Sequence, residues 1–241
     1  MKPQIVMTPT EGYHNLNPDT NDRLLKAKTY QDLSTIIICP TRGQIPAKVV
    51  QSWMALMRPM NQKVVGPIFA IGLEVGEAYN QMIMNILSDP GLSTWKYLLT
   101  IEEDNMPPPD GLLKLYEGMK DYDVIGGLYW TKGEEGQPMI YGDPKVMPKN
   151  FIPQVPQPDT IQEANGLGMG FNLWKLDIFR DERLPRGEWF KTEHSYEPGR
   201  GVRSYTQDLH FFEKAGALGY KFACDTRVKV GHYDINTDIV W

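Results

Sequence analysis

Residues 34–41 read Ser-Thr-Ile-Ile-Ile-Cys-Pro-Thr, and this stretch decides the fold class. Four consecutive apolar residues, Ile36 to Cys39, include three β-branched ones. A short, unbroken apolar run of that kind fits a strand buried on both faces, as in a parallel sheet. Pro40 and Gly43 stop it, and Val49, Val50, Trp53 and Leu56 then recur at helical spacing over residues 45–56. Strand, tight turn and helix open a βαβ unit, so the class is α/β.

Downstream the pattern repeats. A strand is predicted at 64–71 and a helix at 75–87 carrying Ala78, Met82, Ile83 and Ile86. Residues 95–101 read as a buried strand that runs into Glu102, Glu103, Asp104 and Asn105, and Pro107, Pro108 and Pro109 end it. Asp110 is placed to cap a helix reaching residue 120. Another strand is predicted at 123–130. Residues 131–160, rich in proline, glycine, lysine and glutamate, read as a long surface excursion with a short strand at 139–141. A glycine-rich segment at 166–173 leads into 174–179. Residues 185–205, rich in arginine and aromatics, read as a mobile lid or acceptor loop. A helix follows at 206–218, then short strands at 221–224 and 228–230. Residues 1–33 look like an N-terminal extension with one short helix at 22–30, leaving a single domain over 34–241.

Composition narrows the function classes. The 241 residues include 41% hydrophobic and 23% charged side chains, enough for a sizeable core and too apolar for wholesale disorder. A net charge of −5 argues against a general electrostatic nucleic-acid binder, although a local basic patch stays open. Two cysteines, Cys39 and Cys224, are too few for a disulfide scaffold and read as buried thiols in a reducing compartment. CxxC, HExxH, GxSxG and Walker patterns are absent. No stretch approaches the ~20 apolar residues that span a bilayer, and the first residues lack the apolar run of a signal peptide, so the expected location is the cytoplasm, the host's if the source is a virus.

Four features could carry chemistry. Glu102, Glu103 and Asp104 close a buried strand, and period-2 geometry puts Glu102 and Asp104 on one side. Crowded carboxylates at the carboxyl edge of a parallel sheet call for a cation such as Mg²⁺ or Mn²⁺; on a solvated turn they need none. His232, between Gly231 and Tyr233, is either a ligand suited to Mn²⁺ or a hydrogen-bonded surface residue. Asp208 lies in the first turn of its helix, as a simple N-terminal charge or as a general base. Pro40, Thr41 and Arg42 follow the first strand, where backbone N–H groups and a guanidinium can meet a nucleotide.

The order of these landmarks resembles a glycosyltransferase of the GT-A fold, in the broad family 2-like group, over residues 34–233. The resemblance implies a single Rossmann-like domain with a mixed, mostly parallel central sheet flanked by helices. Pro40, Thr41 and Arg42 match the segment lining the nucleotide pocket. Tyr79-Asn80 stands where the family often has Arg-Asn, so Asn80 is the implied nucleotide contact. Glu102, Glu103 and Asp104 match the DxD motif, with Glu replacing the first Asp. Gly166, Gly168 and Gly170 match a glycine-rich strand, Gln207-Asp208 a Glu-Asp pair, and His232 the C-terminal metal-binding histidine.

The implied activity is transfer of a sugar from a UDP- or GDP-sugar to an acceptor hydroxyl. Asp104 and His232, helped by Glu102, would hold the metal, and Asp208 would act as base with inversion. The acceptor is a glycan, a small molecule or a modified nucleic acid. Arg200, Arg203, Trp189 and Tyr205 flank the base and could stack on a sugar or pair with phosphate. Two alternatives are kept: a non-catalytic nucleotide-sugar-binding module, and a metal-dependent nucleotidyltransferase, for whose phosphate loop Cys-Pro-Thr-Arg-Gly-Gln is a poor match.

Overall fold

The apolar run at 36–39 is divided between two cores. Ile36 and Ile38 face one cluster with Leu98, Trp174 and Phe212, while Ile37 and Cys39 face the other with Leu99, Leu115 and Ile125. Alternate side chains of a strand point to opposite faces, so a strand covered on both sides must be apolar at every position. The computed structural model describes residues 31–197 and 201–241, with only the backbone for 195–197 and 201–204. The helix expected at 22–30 lies outside the described residues.

In chain order the elements are β1 (Thr35–Thr41), α1 (Ala47–Ala55), β2 (Val64–Ile71), α2 (Val75–Ser88), β3 (Tyr97–Ile101), β4 (Asn105–Met106), α3 (Gly111–Gly118), β5 (Val124–Leu128), β6 (Ile140–Tyr141), β7 (Ile161–Ala164), β8 (Gly166–Leu167), β9 (Phe171–Lys175), β10 (Glu193–Glu197), β11 (Gly201–Tyr205), α4 (Gln207–Ala217), β12 (Phe222–Lys229), β13 (Gly231–Asp234) and β14 (Ile239–Val240). Seven strands form the central sheet in the order β2-β1-β3-β9-β5-β12-β7. β1 pairs in parallel with β2 and β3, and β5 with β12, whereas β9 and β7 are antiparallel to their neighbours. The sheet is therefore mixed and mostly parallel. The carboxyl ends of β1, β3, β5 and β12 all meet at one edge.

Helices cover both faces. Tyr79, Met82, Ile83 and Ile86 of α2 share a core with Phe211, Phe212 and Ala215 of α4. Leu112 and Leu115 of α3 pack on the other face. Trp174 on β9 is fully buried at the centre of an aromatic cluster, stacked on Phe212 at 5.5 Å between ring centroids and edge-on to Phe211 at 5.2 Å.

Several expectations are corrected. Asp110 makes no side-chain cap and instead pairs with Lys114 at 2.8 Å, one helical turn on. The strands expected at 221–224 and 228–230 are one strand, β12. Its polar interruption is satisfied internally, because the buried Asp225 accepts from Arg227 Nε at 2.9 Å and Nη2 at 2.7 Å. Within the segment at 185–205, expected as a mobile lid or acceptor loop, β10 and β11 pair antiparallel. Trp189, expected beside the base, is buried edge-on to Phe179 at 5.5 Å between centroids. Arg200 and the side chain of Arg203 lie outside the described residues. Cys39 and Cys224 are free and buried. Among the described residues no helix is long and apolar enough to cross a membrane.

Candidate functional site

The carboxyl edge of the sheet gathers most of the residues singled out in the sequence. β3 ends at Ile101; Glu102 N–H still donates to Gly170 C=O at 3.2 Å, in register with β9, and Asn105 N–H then closes a turn onto Glu102 C=O at 3.0 Å. Glu102, Glu103 and Asp104 therefore fan out from a turn. The strand alternation expected to put Glu102 and Asp104 on one side ends before them, and each carboxylate has its own partners.

Glu103 ties β3 to β1. It accepts from Thr41 Oγ1 at 2.7 Å, Arg42 N–H at 2.9 Å and Arg42 Nε at 2.5 Å. Partial burial works to raise its carboxyl, but the Thr41 and Arg42 hydrogen bonds outweigh this and hold it below the ordinary glutamate value. Glu102 has Tyr79 Oη at 3.4 Å. Burial, reinforced by the charges of Asp104 and Asp208, pushes its carboxyl up to about 7.

Asp104 meets a lysine and a histidine on one oxygen. Lys132 Nζ lies 2.5 Å and His232 Nε2 3.4 Å from Asp104 Oδ2. Burial works to raise this carboxyl, and the contacts of His232 and Lys132 overcome it, holding it below the ordinary aspartate value. β13 carries His232 opposite Asn105 of β4, which sets the ring beside the acidic turn. His232 Nδ1 lies 2.7 Å from the Trp130 carbonyl oxygen, and Tyr129 packs edge-on against the ring at 5.5 Å between centroids. A carbonyl partner requires the proton on Nδ1, and Nε2 is the ring nitrogen that faces Asp104.

Asp208, at the start of α4, is buried. Leu209 N–H donates to its Oδ1 at 2.9 Å, and Thr206 also hydrogen-bonds the carboxylate. Burial prevails over these bonds and raises its carboxyl. Its charge acts on Glu102, Tyr129 and Tyr141, so it lies near the acidic turn.

Pro40, Thr41, Arg42, Glu102, Glu103, Asp104 and Lys132 share one open cavity of about 400 Å³, closed on a further side by Leu73 and Val75. Asn80 lines a different cavity, of about 940 Å³, with Glu74, Glu77, Phe190 and Thr192. Both ends of its amide are used there: Nδ2 donates to Phe190 C=O at 2.8 Å, and Oδ1 accepts from Phe190 N–H at 3.1 Å. The glycine-rich segment has a steric reason. A Cβ on Gly170 would lie 2.6 Å from Asn105 Oδ1 and 2.7 Å from Tyr129 Cζ, and one on Gly168 would overlap Tyr129 Oη. Tyr129 Oη in turn accepts from Gly170 N–H at 2.9 Å.

Among the described residues no three His, Cys, Asp or Glu side chains form a group able to hold a metal. The structure brings Asp104 and His232 together and leaves Glu102, expected as a third ligand, outside that pair. Two ligands each about 2.1 Å from one ion, at roughly 90–110°, lie about 3.0–3.4 Å apart. The 3.4 Å between Asp104 Oδ2 and His232 Nε2 therefore suits two protein ligands of a divalent ion, with water and phosphate oxygens to complete the shell. The Trp130 carbonyl on Nδ1 is the support that a ligating histidine uses to fix its ring.

Lys132 was not singled out in the sequence, and Tyr79 was named only as the residue standing where the family has arginine. Lys132 sits in a segment whose composition says only surface loop, and Tyr79 carries a buried phenol whose partner is distant in sequence.

No protein-family model matches the chain, and no curated protein matches its sequence. Solved structures do match by fold. The crystal structure of A197 from STIV superposes with a TM-score of 0.56 and 17% identity, over 83% of this chain and 86% of that one. The crystal structure of GalNAc-T7 with UDP, GalNAc and Mn²⁺ superposes with a TM-score of 0.53 and 11% identity, over 96% of this chain. The fold is GT-A-like. This chain spans 56% of the length of GalNAc-T7. In the GT-A-like frame the acidic turn ends β3, Thr41 and Arg42 end β1, Lys132 follows β5 and His232 follows β12, so the site lies where open α/β sheets bind ligands.

Proposed function

We propose that the chain is a glycosyltransferase that takes a sugar from a UDP- or GDP-sugar and passes it to an acceptor hydroxyl, with residues 34–241 as the catalytic domain and 1–33 as an extension. The observation that carries this reading is the Asp104–His232 pair beside Thr41 and Arg42, at the carboxyl edge of a GT-A-like sheet, with Asp208 buried near the acidic turn. Asp104 Oδ2 and His232 Nε2 would hold Mn²⁺ or Mg²⁺, which when bound would supply positive charge to offset the negative charge developing on the departing diphosphate. Arg42, held in place by Glu103, would offer the remaining N–H groups of its exposed guanidinium to the nucleotide.

Asp208 takes the proton of the acceptor hydroxyl as its oxygen attacks C1 from the side opposite the leaving diphosphate, inverting that carbon. Its raised carboxyl, a consequence of burial, makes it a better proton acceptor than a solvated aspartate. Glycan and small-molecule acceptors are the first choice, and the protein works in the cytoplasm.

A thermal-shift panel of UDP-, GDP-, CMP- and dTDP-sugars, each with Mn²⁺ and with chelator, tests the donor. At 100 times its Kd a ligand stabilises by about 2.7 kcal/mol, which at this size shifts Tm by about 5–10 °C. A metal-dependent shift with one nucleotide is expected. Absence of a shift with all four at several millimolar refutes the donor reading and favours a binding module that has lost its nucleotide.

A further inference from the structure

Lys132 holds the carboxylate oxygen that the proposed metal would need. Its Nζ is 2.5 Å from Asp104 Oδ2, the same oxygen that faces His232 Nε2. The pair is partly buried, with 31% of the Lys132 side chain and 22% of Asp104 exposed. The cavity they line contains three carboxylates, Glu102, Glu103 and Asp104, against two cations, Arg42 and Lys132. Arg42 is committed to Glu103 through both its backbone and its guanidinium. Among the described residues Lys132 makes one side-chain hydrogen bond, to Asp104, through a single flexible ammonium whose charge also reaches Asp234.

The main chain around Lys132 is clamped. Thr131 N–H donates to Gln137 C=O at 2.9 Å, Gln137 N–H donates to Thr131 Oγ1 at 2.8 Å, and Trp130 bridges Pro138. Gly133, at φ +108°, makes the tight turn that follows. With the backbone fixed, the four-carbon stem is what can swing. A divalent ion about 2.1 Å from Asp104 Oδ2 and an ammonium on the same oxygen would repel each other strongly. Only one can keep it. A metal-bound diphosphate brings new phosphate oxygens to the same cavity, and lysine binds phosphate well as a point charge.

We propose that Lys132 is a cation-exchange residue: it neutralises Asp104 before the donor binds, then yields that oxygen to the divalent ion and moves its ammonium onto the diphosphate. The second half rests on the nucleotide-sugar reading. The first half needs only the Asp104–His232 site. Lys132 thus makes nucleotide and metal binding mutually dependent, because metal alone must displace a paired ammonium, and metal with diphosphate gives that ammonium a new partner.

The experiment measures Mn²⁺ binding alone, by electron paramagnetic resonance, and then UDP binding at saturating Mn²⁺, by calorimetry. The proteins are the full chain and its Lys132→Ala, Lys132→Met, Lys132→Arg and Asp104→Asn variants. Lys132→Ala and Lys132→Met should bind Mn²⁺ alone about two- to fivefold more tightly, since a competing cation is gone. The same variants should bind UDP about tenfold more weakly at saturating Mn²⁺, since a charge-assisted bond is lost. Lys132→Arg should restore most of the UDP affinity, and Asp104→Asn should lose the Mn²⁺ site. A purely structural lysine would not move the two affinities in opposite directions. Equal or weaker Mn²⁺ binding in both Lys132→Ala and Lys132→Met overturns the exchange. Tighter Mn²⁺ binding with unchanged UDP affinity overturns the transfer to diphosphate. Tighter Mn²⁺ binding with no UDP or GDP binding to any variant refutes the nucleotide-sugar reading itself and leaves the competition at Asp104 standing.

Discussion

Replacing Glu103 by alanine cuts the link between the ends of β1 and β3. Three hydrogen bonds go: Thr41 Oγ1 at 2.7 Å, Arg42 N–H at 2.9 Å and Arg42 Nε at 2.5 Å. The first two are worth about 1 kcal/mol each in net stability. The guanidinium bond adds about 0.5 kcal/mol, since 82% of the Arg42 side chain is exposed and water competes for it. The expected loss is roughly 2–3 kcal/mol, or about 5–10 °C in Tm for a domain of this size. Urea unfolding followed by circular dichroism measures it by linear extrapolation.

Glu103→Gln separates charge from shape. The amide keeps one acceptor oxygen, so about half the loss is expected at pH 7. Because the folded carboxyl lies below the ordinary value of 4.5, ionised Glu103 stabilises the fold above that pH, and the contribution disappears as pH falls through the folded value. The gap between wild type and Glu103→Gln should therefore be constant from pH 8 to 6 and close in acid. A loss below about 0.5 kcal/mol for Glu103→Ala, or a gap that widens in acid, would refute this reasoning.

Asp208→Asn should lower turnover by roughly 10²–10⁴-fold while UDP binding by calorimetry stays within twofold, and full retained turnover removes Asp208 as base. Glu102 has the opposite pH sign to Glu103. Its folded carboxyl is raised to about 7, so between pH 4.5 and 7 the folded state holds a proton that the unfolded state has lost, and wild type loses stability as pH rises. In chelator, Glu102→Gln should therefore gain on wild type from pH 5 to 8, and a constant difference across that range would count against the shift. Trp174→Ala should cost about 3–5 kcal/mol by urea unfolding, because the ring is fully buried among Phe211 and Phe212 and its Nε1 donates to Thr100 Oγ1 at 3.2 Å; a loss under 1 kcal/mol would mean the cluster repacks.

Local periodicity made much of the architecture legible. The run at 36–39 fits a doubly buried strand, and Ala78, Met82, Ile83 and Ile86 fit one buried helical face, and the structure buries both sets as those patterns imply. The landmarks Thr41, Arg42, Glu103, Asp104, Asp208 and His232 were legible as residue types at element ends.

Their partners were not. Strand order depends on contacts remote in the chain, and nothing local announces that β9 inserts antiparallel between β3 and β5, or that its entry brings Gly170 against Tyr129 and Asn105. The acidic triplet read as a strand end with two carboxylates on one side. Tertiary structure instead made it a turn, sending Glu103 to Arg42, Glu102 toward Tyr79, and Asp104 to Lys132 and His232. Sequence alone determined which residues must leave water and which must stay charged, since hydrophobicity and backbone sterics act over a few residues. Tertiary structure decided which charge meets which, because ion pairs and hydrogen bonds are set by distances of a few ångströms between side chains far apart in the chain, such as Asp104 and His232, 128 positions apart.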